Sequence, residues 1–314
     1  MLSILSPSTA SDRRARSGWP AYAIAIVLFI ALALSAPDFL RTKNLLNIFN
    51  QQTPLMAVAI GQTLVLLTAG LDLSVGAVVS LTTAILSLAI PPVLSIPLAL
   101  AVAAFVGLSN GVGITVFRIH PILMTLSTMT VGQGAVLLLR PVPGGRVPAF
   151  VTDVANASLA GLPLPIILSV ITVAAAALLL NRTRFGLHVL AVGASPDNAR
   201  LGGVHVRRVV LGCYVLASVF AVIGGFHLAG RIGSGDPLVG DPFSLDSVAA
   251  AALGGTLLAG GLGSVGGSVG GVALLALVAN GLNLLNVSPF YQMLVKGGLL
   301  VAAVCAHRRS EPGL

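Results

Sequence analysis

The chain is built from apolar runs of bilayer length, set one after another and separated by short stretches rich in glycine, proline and arginine. Runs long enough to approach the roughly 30 Å hydrocarbon core stand near 20–36, 53–69, 75–90, 93–117, 122–139, 163–181, 209–228, 246–260, 264–287 and 290–306. In lipid every backbone N–H and C=O must be satisfied within the protein, so a succession of such runs predicts α-helices. Composition agrees: 56% of the 314 residues are hydrophobic and 8% are charged, against roughly 25% charge in soluble domains. A core of that size cannot be covered by so few charges, and the mean hydropathy is +1.01. The expected fold is an all-α polytopic bundle of about ten transmembrane helices. Several runs are short, and the first, third and eighth are expected to be tilted, partly re-entrant or misbounded by a few residues.

The net charge of +8 does not point to nucleic acid, because the basic residues are scattered between apolar runs and accompany no aromatic stacking platform. Topology accounts for them. With both termini cytosolic, that side holds Arg13, Arg14, Arg16, Arg118, Arg182, Arg184, Arg200, Arg207, Arg208, Arg308 and Arg309, and the other side holds Arg41, Lys43, Arg140, Arg146 and Arg231. Eleven against five obeys the positive-inside rule. The expected organisation is a cytosolic tail at 1–18, a membrane domain at 19–306 with a cytosolic segment at 182–208, and a cytosolic tail at 307–314. The first run is read as a retained anchor and not a cleaved leader, because the following segments need an anchor that starts in the cytosol; Arg13-Arg14 also lacks the surroundings of a twin-arginine signal.

Several chemistries are excluded by motif. There is no G-x-x-x-x-G-K-[ST] loop, and neither of the two lysines, Lys43 and Lys296, follows a glycine loop of that kind. No HExxH, no G-x-S-x-G elbow with a plausible triad and no carboxylate cluster is present, so no catalytic, cofactor or metal site is expected. Cys213 and Cys305 both lie in apolar runs without partners and are read as packing residues.

Four polar or glycine-rich features remain. GASPDNARLGGV, 193–204, reads as a capped, water-exposed helix: Ser195 at the N-cap, Pro196 at the first helical position, Asp197 in the first turn, and Gly202-Gly203 as the stop. In TAGLDLSVG, 68–76, Asp72 interrupts two apolar segments, and Asp72 with Ser74 can satisfy N–H groups freed where one helix stops and the next starts, or it can meet a substrate or ion. Lys296 lies inside the last run, about 9 Å from its outer end at 1.5 Å per residue, and is read either as packing or snorkelling or as part of a gate or pathway. Gly263, Gly267 and Gly271, with Gly107 and Gly111, provide bare helix faces for close packing. A faint inverted repeat joins Asn110-Gly111 before Pro121 to Asn280-Gly281 before Pro289.

GLDLSVGAVVSL at 70–81 resembles the signature of the inner-membrane permease subunits of ribose-type ABC sugar importers. The runs NGVGITVFRIHPILMTLSTM at 110–129, FGLHVLAVGASPDNARLGGVHV at 185–206, ALGGTLLAGGLGSVGGSVGG at 252–271 and NGLNLLNVSPFYQMLVKGGLL at 280–300 resemble the same family, in order. Three positions depart from its pattern: Ala69 where glycine is common, Gln133 where arginine is common, and Ser244 where glutamate is frequent.

The resemblance implies a permease of the bacterial inner membrane that pairs with a second copy, receives a monosaccharide from a periplasmic binding protein and is driven by a cytosolic ABC ATPase subunit. It gives the capped helix a role as the coupling element, with Ser195, Pro196 and Asp197 shaping it, Leu201 and Val204 as apolar anchors and Arg200 as a rim charge. Candidate pathway or gate residues are Gln62, Asp72, Asn110, Asn280, Asn283 and Lys296, several of which can equally satisfy helix backbone. The rival reading is a secondary carrier or facilitator for a small polar solute, which has no need of a large cytosolic 182–208 segment.

Overall fold

The computed structural model describes residues 18–306; Arg13, Arg14, Arg16, Arg308 and Arg309 lie outside the described residues. Within them the chain forms thirteen helices: α1 Trp19–Ser35, α2 Thr42–Leu67, α3 Val75–Leu86, α4 Pro92–Thr115, α5 Pro121–Leu139, α6 Ala149–Asn156, α7 Leu164–Arg182, α8 Arg184–Ala194, α9 Pro196–Leu201, α10 Val206–Ile232, α11 Asp241–Leu253, α12 Val265–Leu284 and α13 Pro289–Ala306. The described strands, Ser158–Leu159 and Leu162–Pro163, make one small hairpin. The protein is an all-α polytopic membrane protein. By length and composition α4, α5, α7, α10 and α12 suffice to cross a bilayer.

Each of the ten expected runs coincides with a helix, but with corrections. The third ends at Leu86 and not residue 90, and the eighth occupies Asp241–Leu253 and not 246–260. The broken stretches 68–74 and 254–264 consume the missing length. Every residue of α3 is buried, and α11 is buried along Ser247–Ala252. At 1.5 Å per residue a helix of 12 residues covers about 18 Å, little more than half the hydrocarbon core. The loop expected after α5 also contains α6 and the hairpin, and Val151 and Ala155 of α6 pack against Gly230 of α10.

At the centre α2 and α10 run antiparallel, with Gly61 against Ala217 and Phe220, and Gly224 against Pro54 and Val58. Around them α2 packs on α11 and α12, and α10 packs on α3 and α4. The set α2–α5 therefore corresponds to the set α10–α13. The two halves carry the same motif, Asp72-Leu73-Ser74-Val75-Gly76 and Asp236-Pro237-Leu238-Val239-Gly240. Each aspartate accepts the N–H two residues on, Ser74 N and Leu238 N, both at 2.9 Å. The motifs cross at Gly76 and Gly240, which leave no room for a Cβ on either. The lock is reciprocal: Ser244 Oγ donates to Leu73 O (2.8 Å), and Gly240 N donates to Ser80 Oγ (2.9 Å). The inverted repeat expected from two Asn-Gly pairs is thus an arrangement of four helices against four.

Small residues build these interfaces because lipid supplies little drive for helix association beyond close packing. Gly107 and Gly111 of α4 lie against Tyr214, Val215 and Leu211 of α10, and Gly267 and Gly271 of α12 lie against Gly254 and Ala250. Gly263 does not belong to that face; it precedes the helix, at φ +155 beside Thr256. Cys213 is buried as expected, whereas Cys305 is exposed on α13. Large apolar residues such as Leu34, Val131 and Leu138 face outward, where lipid covers them.

Candidate functional site

Two regions organise the functional residues: the break between α2 and α3, and the capped segment 193–204. The break begins at Ala69, held at φ +59, a left-handed conformation that suits glycine better than alanine. Asp72 Oδ1 accepts both Ser74 N (2.9 Å) and Ser74 Oγ (2.6 Å). Asn110 Nδ2 of α4 donates to Ser74 Oγ (2.9 Å), and Thr128 Oγ1 of α5 donates to Asn110 Oδ1 (2.6 Å). With its amide oriented to satisfy both ends, Gln62 donates to Asp72 O (3.0 Å) and accepts from Asp72 N (3.2 Å). Gln62, Asp72, Ser74 and Asn110 are fully buried.

Three of the six candidate pathway residues therefore meet in one chain of hydrogen bonds that fastens α3, α4 and α5 to the end of α2. Asp72 does satisfy freed backbone, but Ser74 does not cap α3; its hydroxyl is engaged by Asp72 and Asn110. A cavity of about 250 Å³ reaches Thr68, Ala69 and Gly70, and its lining stops short of Asp72.

The other three candidates lie apart from this network. Asn280 of α12 and Asn44 of α2 exchange amide hydrogen bonds at 2.8 and 3.2 Å. Asn283 accepts from Gln292 Nε2 (2.8 Å). Lys296 Nζ pairs with Asp246 Oδ2 at 2.6 Å, joining α13 to the short helix α11. Thr128, Asp236 and Asp246 were missed by sequence reasoning. For Asp236 the signal was present as the second Asp-x-x-Val-Gly; for Asp246 nothing in the sequence names its partner on another helix.

The departures at 133 and 244 have structural roles. Gln133 Nε2 donates to Pro237 O (2.8 Å) and Ser244 Oγ to Leu73 O (2.8 Å), so each holds the aspartate motif of the opposite half.

In the segment 182–208, Thr183 caps α8 and Ser195 caps α9, the latter by accepting Asn198 N at 3.2 Å. Pro196 starts the short helix, Asp197 pairs with Arg200 (3.1 Å) on its surface, and Gly202 ends it. Leu201 is 87% exposed. Val204, the other apolar residue expected to anchor the segment, is half-buried. Gly203 at φ +81 turns the chain, Val204 N bonds Ala199 O, and the valine packs on the main core.

At the other end of the segment, a Cβ on Gly193 would run into Leu67 O at the end of α2 and stand 2.6 Å from Gly261 N. Gly261 N itself donates to Leu67 O (3.0 Å), and Gly260 abuts Ala69. The capped segment thus bears directly, backbone on backbone, on both irregular stretches of the two halves.

Residues 44–304 match the family described as branched-chain amino acid transport system / permease component. Among curated relatives, the ribose import permease protein RbsC of Bacillus subtilis is 36% identical over 292 residues, 91% of each chain. RbsC of Escherichia coli K12 is 33% identical over 92% of this chain and 93% of its own. The D-allose transport system permease protein AlsC of E. coli K12 is 33% identical over 91% and 90%. No solved structure matches significantly.

Proposed function

This chain belongs to the family of branched-chain amino acid transport system permease components, and from that membership we propose that it is the membrane-spanning permease of an ABC importer that carries a monosaccharide. The family description speaks of amino acids, but the relatives that match nine-tenths of the chain are named for ribose and allose, which supports a sugar. ATP is hydrolysed by a separate cytosolic subunit, since the sequence carries no phosphate-binding loop of its own. A periplasmic binding protein delivers the sugar, and a second copy of the chain completes the pathway. Both termini and the 182–208 segment face the cytosol, as the arginine distribution favours.

The observation that carries the mechanism is the exposed Leu201 on the capped helix α9, which directly follows Gly193 near the end of α8, where the backbone presses on Leu67 and Gly261. An apolar side chain inside a polar rim suits insertion into a groove of the ATPase. Motion of the nucleotide-driven subunit then enters the permease as a rigid displacement at Gly193, where bare backbone contact leaves no side chain to absorb it. One broken stretch, 68–74, runs on to the crossing at Gly76 and Gly240, and the other, 254–264, follows α11, which starts beside Gly240, so displacement at Gly193 reaches both halves of the repeat. No covalent step on the sugar is involved.

The test is reconstitution in proteoliposomes with and without the ATPase. Accumulation requires the ATPase and ATP, with ribose or a related sugar and not leucine as cargo. Leu201→Asp combined with Arg200→Glu reaches the membrane in normal amount yet loses ATPase association and uptake, because a carboxylate buried in the groove lacks a partner. Accumulation by the chain alone on a proton or sodium gradient would establish the secondary carrier instead.

A further inference from the structure

A cavity of about 740 Å³ opens beside the capped helix and is bordered by four arginines, Arg118, Arg200, Arg207 and Arg208, together with His205. Arg200 is paired with the exposed Asp197; among the described residues no carboxylate forms an ion pair with Arg118, Arg207 or Arg208. Three guanidinium groups without counter-charge around one cavity create a strong local demand for an anion.

The position of the cavity identifies the kind of anion. Arg118 follows the end of α4 at Thr115, and Arg207 and Arg208 stand in the first turn of α10; both helices are long and apolar enough to span the bilayer. The guanidinium groups therefore lie at the depth where hydrocarbon gives way to headgroups. Arg118 is held at φ +56, a costly conformation for a residue with a side chain. Its neighbours Val116 and Phe117 are 52% and 72% exposed. Exposed apolar groups beside unpaired guanidinium groups match a molecule with an acyl chain and a phosphate, not a free ion alone. We propose that this cavity binds the phosphodiester headgroup of an anionic phospholipid from the leaflet on the side of the 182–208 segment, with its acyl chain along Val116 and Phe117. The assignment rests on membrane embedding and not on the importer reading, and its test is independent of transport.

The experiment uses the delipidated full chain in a neutral detergent, in a Cys305→Ser background so that a thiol-reactive dye reports exposure of the buried Cys213 on unfolding. Phosphatidylglycerol, phosphatidylcholine of the same acyl composition, and inorganic phosphate are titrated separately. Phosphatidylglycerol is expected to raise the melting temperature by about 5 °C near saturation, phosphatidylcholine and phosphate by much less. Arg118→Gln with Arg207→Gln abolishes that shift while leaving the lipid-free melting temperature unchanged, because both side chains are solvent-facing. Should the double variant fail to fold, Arg207→Gln alone, outside the left-handed turn, is expected to retain several-fold less phosphatidylglycerol in native mass spectrometry. An equal shift with phosphatidylcholine overturns the headgroup assignment, and an equal shift with phosphate overturns the lipid. A shift that survives in the variants puts the site elsewhere. No shift with any of the three overturns the proposal and leaves the arginines to a protein partner.

Discussion

Gly193→Ala tests the junction on which the proposed coupling depends. An ideal Cβ there enters the contact radius of Leu67 O and stands 2.6 Å from Gly261 N and 3.0 Å from Gly261 Cα. All three atoms are backbone, so no rotamer change relieves the overlap. Overpacking of this kind costs about 1–3 kcal/mol. The simplest escape separates Gly261 from Leu67 and breaks their 3.0 Å hydrogen bond, adding about 1 kcal/mol. A total near 2–4 kcal/mol predicts a melting temperature lowered by roughly 5–10 °C. Because the same displacement loosens α8 and α9 from both broken stretches, the reconstituted transporter is expected to hydrolyse ATP with less sugar moved per ATP. Gly203→Ala is the control: at φ +81 with nothing within 4 Å, it costs about 1–2 kcal/mol of backbone strain and no contact. It is expected to keep the wild-type ratio. Wild-type melting and a wild-type ratio in Gly193→Ala would refute the argument.

The buried network makes Asp72→Ala far more damaging than Asp153→Ala: it strands Ser74 N–H among buried groups and costs about 2–4 kcal/mol, whereas Asp153 is an exposed residue of α6. Folded yield after detergent extraction and sugar uptake compare the two. If the two halves are equivalent, Gly76→Ala and Gly240→Ala each collide with the other's loop and lower thermal stability by similar amounts, about 2–4 kcal/mol; a large effect of only one would break the equivalence. Lys296→Met leaves Asp246 without its ion-pair partner and is expected to cost about 2 kcal/mol, reduced by the partial exposure of the pair. Adding Asp246→Leu should recover part of that loss, and a double variant worse than the single one would count against the pairing.

Local chemistry was legible in the sequence. Apolar runs give multiple membrane helices because the requirement to satisfy backbone in lipid acts on each segment separately. The capped helix at 195–202 emerges with its N-cap, proline and glycine stop in place because capping involves neighbours within four residues. The interruption around Asp72 was visible for the same reason.

What tertiary structure decided are the relations between segments. Two of the runs became half-length helices whose starts cross at Gly76 and Gly240, one of them buried along its whole length. Val204 turned inward where Leu201 stayed out, since Gly203 reverses the chain and the main core was there to receive the valine. Lys296 found Asp246, and Asn280 found Asn44, on helices distant in sequence, and hydropathy carries no information about which helix faces which. That choice follows from two antiparallel halves packing through small residues, where backbone fit selects the neighbours and polar side chains bond to whatever the fit brings near.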